Sequence, residues 1–272
     1  MLLLDIHIES VIIVAQGMDL NFDLSLAAAY TSKRQRNRVL TEAWMAQNAY
    51  CPSCGESVSQ HIPNKPVADF YCPRCSEDYE LKSKVGVYTN TAIDGAYHTM
   101  IQRINSDTAP SFFFLSHNEK RVHSLFVTPA CFLSDSVIIK RKPTKVKGRT
   151  NLWIGCSIDL RGIPESGRIY YVRNGEVCSR QEVVDHYAAS AFLRTTEIKA
   201  GLRGWLLDVL CCIERLKRKT FSLADVYRFE NYLSAKHPHN RNVQAKIRQQ
   251  LQLLRDMGYL RFNGRGNYEL MS

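Results

Sequence analysis

The chain has 272 residues, 45% of them hydrophobic and 23% charged, with a formal net charge of +10. Those proportions exclude a disordered or fibrous chain and allow one large domain or two small ones. No run of about eighteen apolar residues occurs, which excludes a membrane-spanning helix. Asp5, His7 and Glu9 interrupt the apolar start where an export signal needs a basic end and an unbroken apolar core, so a cytoplasmic protein is expected. Nine cysteines, an odd count, agree with a reducing compartment.

Residues 1–17 read as an N-terminal extension ahead of Met18. Leu20, Phe22, Leu24 and Leu26 alternate with polar residues, a strand pattern. Residues 32–49 read as a helix capped by Ser32, with Val39, Leu40 and Trp44 on its inner face. Short strands are expected at Val67 to Tyr71 and Tyr79 to Ser83, then a helix over 91–106. Ser111 to Leu115 is almost wholly apolar and so a central strand, followed by a strand at Val122 to Val127. Residues 140–151 hold six Lys or Arg with no amphipathic pattern and read as a basic surface loop. Strands at 152–158 and 168–172, a helix over 180–193 and a linker at 194–202 complete a mixed, α/β or α+β, domain.

The last segment carries net charge +7 of the total +10. A helical stripe runs through Leu206, Leu207, Val209, Leu210 and Ile213. Ser222 with Asp225 forms a capping box opening a second helix to about Ala235. A third helix, capped by Asn240, carries Val243, Ile247, Leu251 and Leu254 at helical spacing and stops at Gly258. Tyr259 to Phe262 and Tyr268 to Met271 flank a Gly-rich turn, giving a hairpin. Three helices and a two-stranded ribbon are the winged-helix order. The basic charge points to a polyanion, nucleic acid first.

Cys51-Pro-Ser-Cys54 and Cys72-Pro-Arg-Cys75 are two C-x-x-C turns seventeen residues apart. Four thiolates in two tight turns suit tetrahedral Zn²⁺, and with no open position the ion is structural. His61 lies between the turns, but four Cys already fill the shell. Asp69 sits in an apolar strand, and Glu80 and Lys82, two apart, share a strand face. Charges in short apolar strands are costly unless paired or metal-bound. Two carboxylates and a lysine suit phosphodiester hydrolysis: the acids hold Mg²⁺ and the lysine helps orient and deprotonate a water. An ordinary edge salt bridge is the competing reading of D-x10-E-x-K alone. The second C-x-x-C connects the two strands, so zinc would fix the hairpin carrying the acids.

Asp69 with Glu80-x-Lys82 resembles the PD-(D/E)xK nuclease signature. The run from Arg38-Val39-Leu40-Thr41-Glu42 through both C-x-x-C turns to Glu80-Leu81-Lys82-Ser83-Lys84 resembles the DpnI family of methyl-directed restriction endonucleases. So do Asp94-Gly95-Ala96-Tyr97, Phe112-Phe113-Phe114-Leu115, Trp153-Ile154-Gly155-Cys156 and Ile247-Arg248-Gln249-Gln250-Leu251. The resemblance covers residues 18–272. It implies a type II, methyl-directed endonuclease cutting G-A-T-C sites with N6-methylated adenines. It also implies that Asp69 and Glu80 are metal ligands with the Leu81 carbonyl, and that Lys82 is the catalytic lysine. Ala68 departs from the proline often found before the acid, a position whose side chain binds nothing.

The expected fold is therefore a PD-(D/E)xK core with a four-cysteine zinc insertion over residues 18–196, and a winged helix over 197–272. The expected partner is double-stranded DNA, with no membrane and no small-molecule substrate. On the third helix the exposed face offers Gln244, Lys246, Arg248, Gln249 and Gln250; Arg reads guanine and Gln reads adenine in the major groove. Arg261 and Arg265 on the wing suit phosphates or the minor groove. Trp153 could pack on an adenine methyl group, or sit in the core. A non-enzymatic zinc-ribbon, winged-helix regulator is the alternative, as is a nuclease with another DNA target; the regulator leaves Asp69, Glu80 and Lys82 without a use.

Overall fold

A computed structural model describes residues 17–62, 68–145, 150–194 and 200–271. The N-terminal extension and the middle of the basic loop lie almost wholly outside them.

Helix α1 (Lys33–Asn48) starts after Ser32, which holds the cap position without a side-chain bond. Short strands β1 (Ser59–Gln60) and β2 (Phe70–Tyr71) lead to β3 (Asp78–Val85). Strand β4 (Thr91–Ala96) runs straight into α2 (Tyr97–Ile104), and β5 (Ser111–His117) and β6 (Val122–Thr128) follow. Then come β7 (Ile138–Lys140), β8 (Gly155–Asp159), β9 (Ile169–Arg173), β10 (Glu176–Val177), α3 (Arg180–Ala189) and α4 (Ala191–Arg194).

Seven strands form one sheet in the order β1-β2-β3-β5-β6-β9-β10. Strand β3 is parallel to β5; the other pairings are antiparallel. A parallel neighbour needs a crossover, and β4 with α2 supplies it. Every residue of β5 is buried, as its apolar run requires of a strand covered on both faces. On one face Phe113, Leu115 and Tyr79 pack with Trp44 and Met45 of α1. On the other, Phe112, Phe114 and Phe126 pack with Met100 and Ile104 of α2 and with a small sheet ordered β4-β8-β7.

Several expected elements differ, among them the helix over 180–193, which divides at Ser190 into α3 and α4. Residues 91–106 divide into strand and helix, because Thr91 to Asp94 pair antiparallel with β8 before helical periodicity begins. Leu20 to Leu26 is not a strand: Asp23 accepts from Ser25 N–H and turns Leu24–Ala27 into a 3₁₀ helix. Only Leu20 and Phe22 of that alternation are buried; Leu24 and Leu26 are exposed.

The C-terminal region contains α5 (Ala200–Arg215), β11 (Thr220–Ser222), α6 (Leu223–Tyr227), α7 (Glu230–Lys236), α8 (Val243–Asp256), β12 (Leu260–Gly264) and β13 (Asn267–Leu270). The capping box at Ser222 and Asp225 forms. The expected second helix breaks at Arg228 and Phe229 into two. Strand β11 adds a third strand to the ribbon, in the order β11-β13-β12. The winged-helix core takes in Phe132 and Leu193 from the preceding region. Glu214 reaches back to accept the N–H of Ser166 at 3.2 Å, so the two regions are packed and not merely tethered.

Candidate active site

The knuckles are one turn used twice. In each, the first Cys carbonyl accepts the N–H four residues on: Gly55 to Cys51 and Ser76 to Cys72, both at 2.9 Å. Gly55 and Ser76 both have positive φ, +74° and +59°. The four sulfurs lie within 4.8 Å of one another, with Cys51 and Cys75 4.0 Å apart and Cys54 and Cys72 3.5 Å apart. A zinc tetrahedron with bonds of about 2.3 Å has sulfur–sulfur edges of about 3.8 Å, so this donor set fits such an ion. His61 stands apart, bonded to Asp78 at 2.9 Å with its ring tilted against Tyr71.

The second knuckle leads into β3. Tyr79, 1% exposed, donates from its hydroxyl to Cys51 Sγ at 3.2 Å. Glu80 is the next residue. The β2–β3 register pairs Phe70 with Tyr79, and Asp69 stands immediately before β2 at the end of that pair. Asp69 Oδ2 accepts the Leu81 N–H at 2.7 Å, and Asp69 N–H donates to Tyr79 at 3.0 Å. Lys82 Nζ lies 2.9 Å from Glu80 Oε2. Arg103 of α2 approaches Glu80 Oε1 at 3.8 Å.

Lys82 has a second partner that sequence reasoning gave no role: Asp94, whose Oδ1 lies 2.6 Å from Nζ. The run Asp94-Gly95-Ala96-Tyr97 was visible as part of the resemblance, but a strand of the crossover could not be placed over β3 without the topology. Burial disfavours the Lys82 charge, yet Glu80 and Asp94 together outweigh it and hold its pKa above the usual lysine value. The lysine is an ammonium here, stacked also over the Phe112 ring at 5.3 Å. Glu80 and Asp94 surround this positive charge and Asp69 faces the Leu81 N–H, so the acids offer oxygen donors of the kind a hard divalent cation takes.

A cleft lined by Glu80, Asp94, Ala96, Thr99 and Arg103 opens over these groups. It adjoins, through Ala96, a hollow lined by His98, Leu152, Trp153 and Ile154. Trp153 is half-buried, paired with Thr144 across the base of the basic loop. Its ring covers Gly155, where any Cβ would lie 2.5 Å from it.

Residues 18–196 match the model of the Dam-replacing family, DpnI, and residues 201–270 match the Dam-replacing HTH domain. The chain belongs to the DpnI family. Membership implies a methyl-directed role in cleaving or binding DNA, and α8 is the helix whose surface carries most of the residues expected to touch it.

On that surface of the DpnI-family chain, Arg248 and Gln249 are exposed and Lys246 is partly so. Arg248 donates to the Tyr227 hydroxyl at 2.6 Å, and Lys246 to Gln249 at 2.8 Å. Gln250 is a correction to the expected reading face: it is 1% exposed. Val243, Ile247, Gln250, Leu251 and Leu254 form the buried stripe of α8, and position 250 falls at the i+7 point of that stripe. Arg261 is ion-paired with Glu269. Arg265 is exposed at the turn of the wing with φ +49°, between Gly264 and Gly266, which are also positive.

Proposed function

We infer that this protein is a Mg²⁺-dependent endonuclease that hydrolyses double-stranded DNA at adenine-methylated G-A-T-C sites. The observation that carries the reading is the Glu80–Lys82 pair on β3 with the Asp69 carboxylate bonded to the intervening Leu81 N–H, in a chain of the DpnI family. Methyl dependence and base order rest on the family alone. In this reading residues 18–196 are the catalytic domain, 197–272 the DNA-reading domain, and 1–17 a dispensable extension of a cytoplasmic protein.

Asp69 and Glu80, with the Leu81 carbonyl, would hold the Mg²⁺. When bound, that ion supplies charge stabilisation at the scissile phosphate and acidifies a water. Lys82, held as an ammonium, donates to the attacking water and offsets phosphate charge. A role as base requires that one of its two carboxylates be engaged elsewhere. The Cys51, Cys54, Cys72 and Cys75 site takes Zn²⁺ as a structural ion, because four sulfurs leave no coordination position for substrate. Lys246, Arg248 and Gln249 contact DNA from α8, Arg261 and Arg265 from the wing, and Trp153 contacts a base beside the cleft.

The test is digestion of one plasmid prepared with and without adenine methylation, using zinc-loaded protein and Mg²⁺. The expected result is cutting of the methylated plasmid only, lost in Asp69→Ala and Lys82→Ala with DNA binding retained. Equal cutting of both plasmids rejects methyl dependence. Binding without any cutting rejects the nuclease and leaves a regulator.

A further inference from the structure

Lys82 has two carboxylate partners, and they come from different places. Glu80 lies two residues away on the same strand and is a proposed metal ligand. Asp94 comes from β4, the first half of the crossover that makes β3 and β5 parallel. In β4 the pairing with β8 slips between Asp94 and Ala96: Asp94 faces Cys156 and Ala96 faces Gly155. Such an irregularity bends a strand and re-aims a side chain, and it is common beside active sites. Here it turns Asp94 toward Lys82. The same Oδ1 accepts the Gly95 N–H at 2.7 Å, which fixes the carboxylate from behind. The Asp94 side chain is 11% exposed and that of Lys82 14%, so neither charge is solvated enough to be indifferent to the other.

We propose that Asp94 is the positioning residue of this active site, holding the Lys82 ammonium in place when Glu80 is engaged by the metal. The proposal rests on the nuclease reading above. Lys82 is pinned by two acids, and one of them has a second duty. A lysine left with a single, shared carboxylate would be free to swing on four rotatable bonds toward solvent. A second carboxylate, itself fixed by the Gly95 N–H, keeps Nζ at the reacting centre. Misplacement of such a group by about 1 Å is enough to cost roughly a hundredfold in rate.

Asp94→Asn tests this, since the amide keeps the shape and an acceptor for Gly95 while removing the charge. The full chain, zinc-loaded, is measured in three ways: single-turnover cleavage of a methylated duplex with Mg²⁺, duplex affinity in Ca²⁺, and Mn²⁺ affinity by calorimetry. Lys82 labelling by an amine-reactive ester, read by peptide mass spectrometry against Lys84, is the fourth readout. The expected outcome is a cleavage rate lower by about a hundredfold, unchanged duplex and Mn²⁺ affinities, and faster Lys82 labelling. A rate within about tenfold of wild type, or unchanged labelling, overturns the proposal. A Mn²⁺ affinity weakened by about tenfold or more also overturns it, making Asp94 a metal ligand instead. Should Asp94→Asn lose its cooperative melt, Asp94→Ser takes its place. A wild-type protein that cuts nothing defeats the nuclease reading, and the labelling arm still decides whether Asp94 holds Lys82.

Discussion

The Tyr79 hydroxyl donates to the Cys51 sulfur at 3.2 Å, one residue before Glu80. The knuckle and the acid strand are thus joined by a buried side-chain bond as well as by the chain. Tyr79→Phe keeps the ring and its contact with Phe113 but removes the donor. It should cost about 1 kcal/mol of stability and lower zinc affinity about tenfold. Melting and chelator competition check this; an unchanged zinc affinity would mean the hydroxyl is incidental.

The matched turns at Gly55 and Ser76 predict opposite effects of exchanging residues. A side chain with positive φ costs about 1 kcal/mol. Gly55→Ala adds a Cβ whose nearest neighbour is Arg180 at 3.8 Å, so only the backbone term remains, and the loss should be about 1 kcal/mol. Ser76→Gly should melt at the wild-type temperature or slightly above. A marked loss in Ser76→Gly would show that the serine hydroxyl has a role of its own.

His117 is 2% exposed, and burial lowers its pKa to about 4, Glu119 opposing the shift. Its ring bonds Asn37 Oδ1 at 2.6 Å and accepts the Glu119 N–H at 3.0 Å, so it is the neutral form that fits. A depressed folded pKa means that stability is full above the unfolded value, about 6.5, and is lost as pH falls toward 4. Denaturant titrations between pH 7 and 4 should show this loss, and His117→Gln should flatten it. An equal slope in the variant places the acid sensitivity elsewhere.

Asp208 of α5 is fully buried, with Lys236 at the end of α7 and His237 just after it on its two oxygens, and Trp205 stacked on His237. Asp208→Ala strands the lysine charge and should destabilise the chain by about 3–5 kcal/mol. Replacing Asp208 and Lys236 together, by Leu and Met, should recover most of the loss in urea unfolding. No recovery would mean that His237 is the partner that matters.

Much of this was legible in the residues. The knuckles, the capping box at Ser222, the wing and the buried β5 follow from spacing and periodicity, which are local. What was not legible depended on long-range pairing. Thr91 to Asp94 has helix-compatible residues and becomes a strand only because β8 lies beside it. Gln250 is polar in composition, and its burial follows from the phase of α8 against α5. Asp94 is inconspicuous along the chain and gains its lysine from the crossover. Leu24 and Leu26 alternate as a strand should, but Asp23 offers the backbone a nearer partner.

The order of elements along the chain has a consequence for synthesis. Asp69, Glu80, Lys82 and Asp94 precede α8, which begins at Val243, and domains emerging from the ribosome fold from the N-terminal end. The proposed cutting groups are therefore assembled while the proposed reading helix is still untranslated. A chain stalled or clipped between the two would carry hydrolytic chemistry without the helix that steers it, and the burial of Phe132 and Leu193 in the C-terminal core leaves such a fragment with exposed apolar surface that marks it for removal.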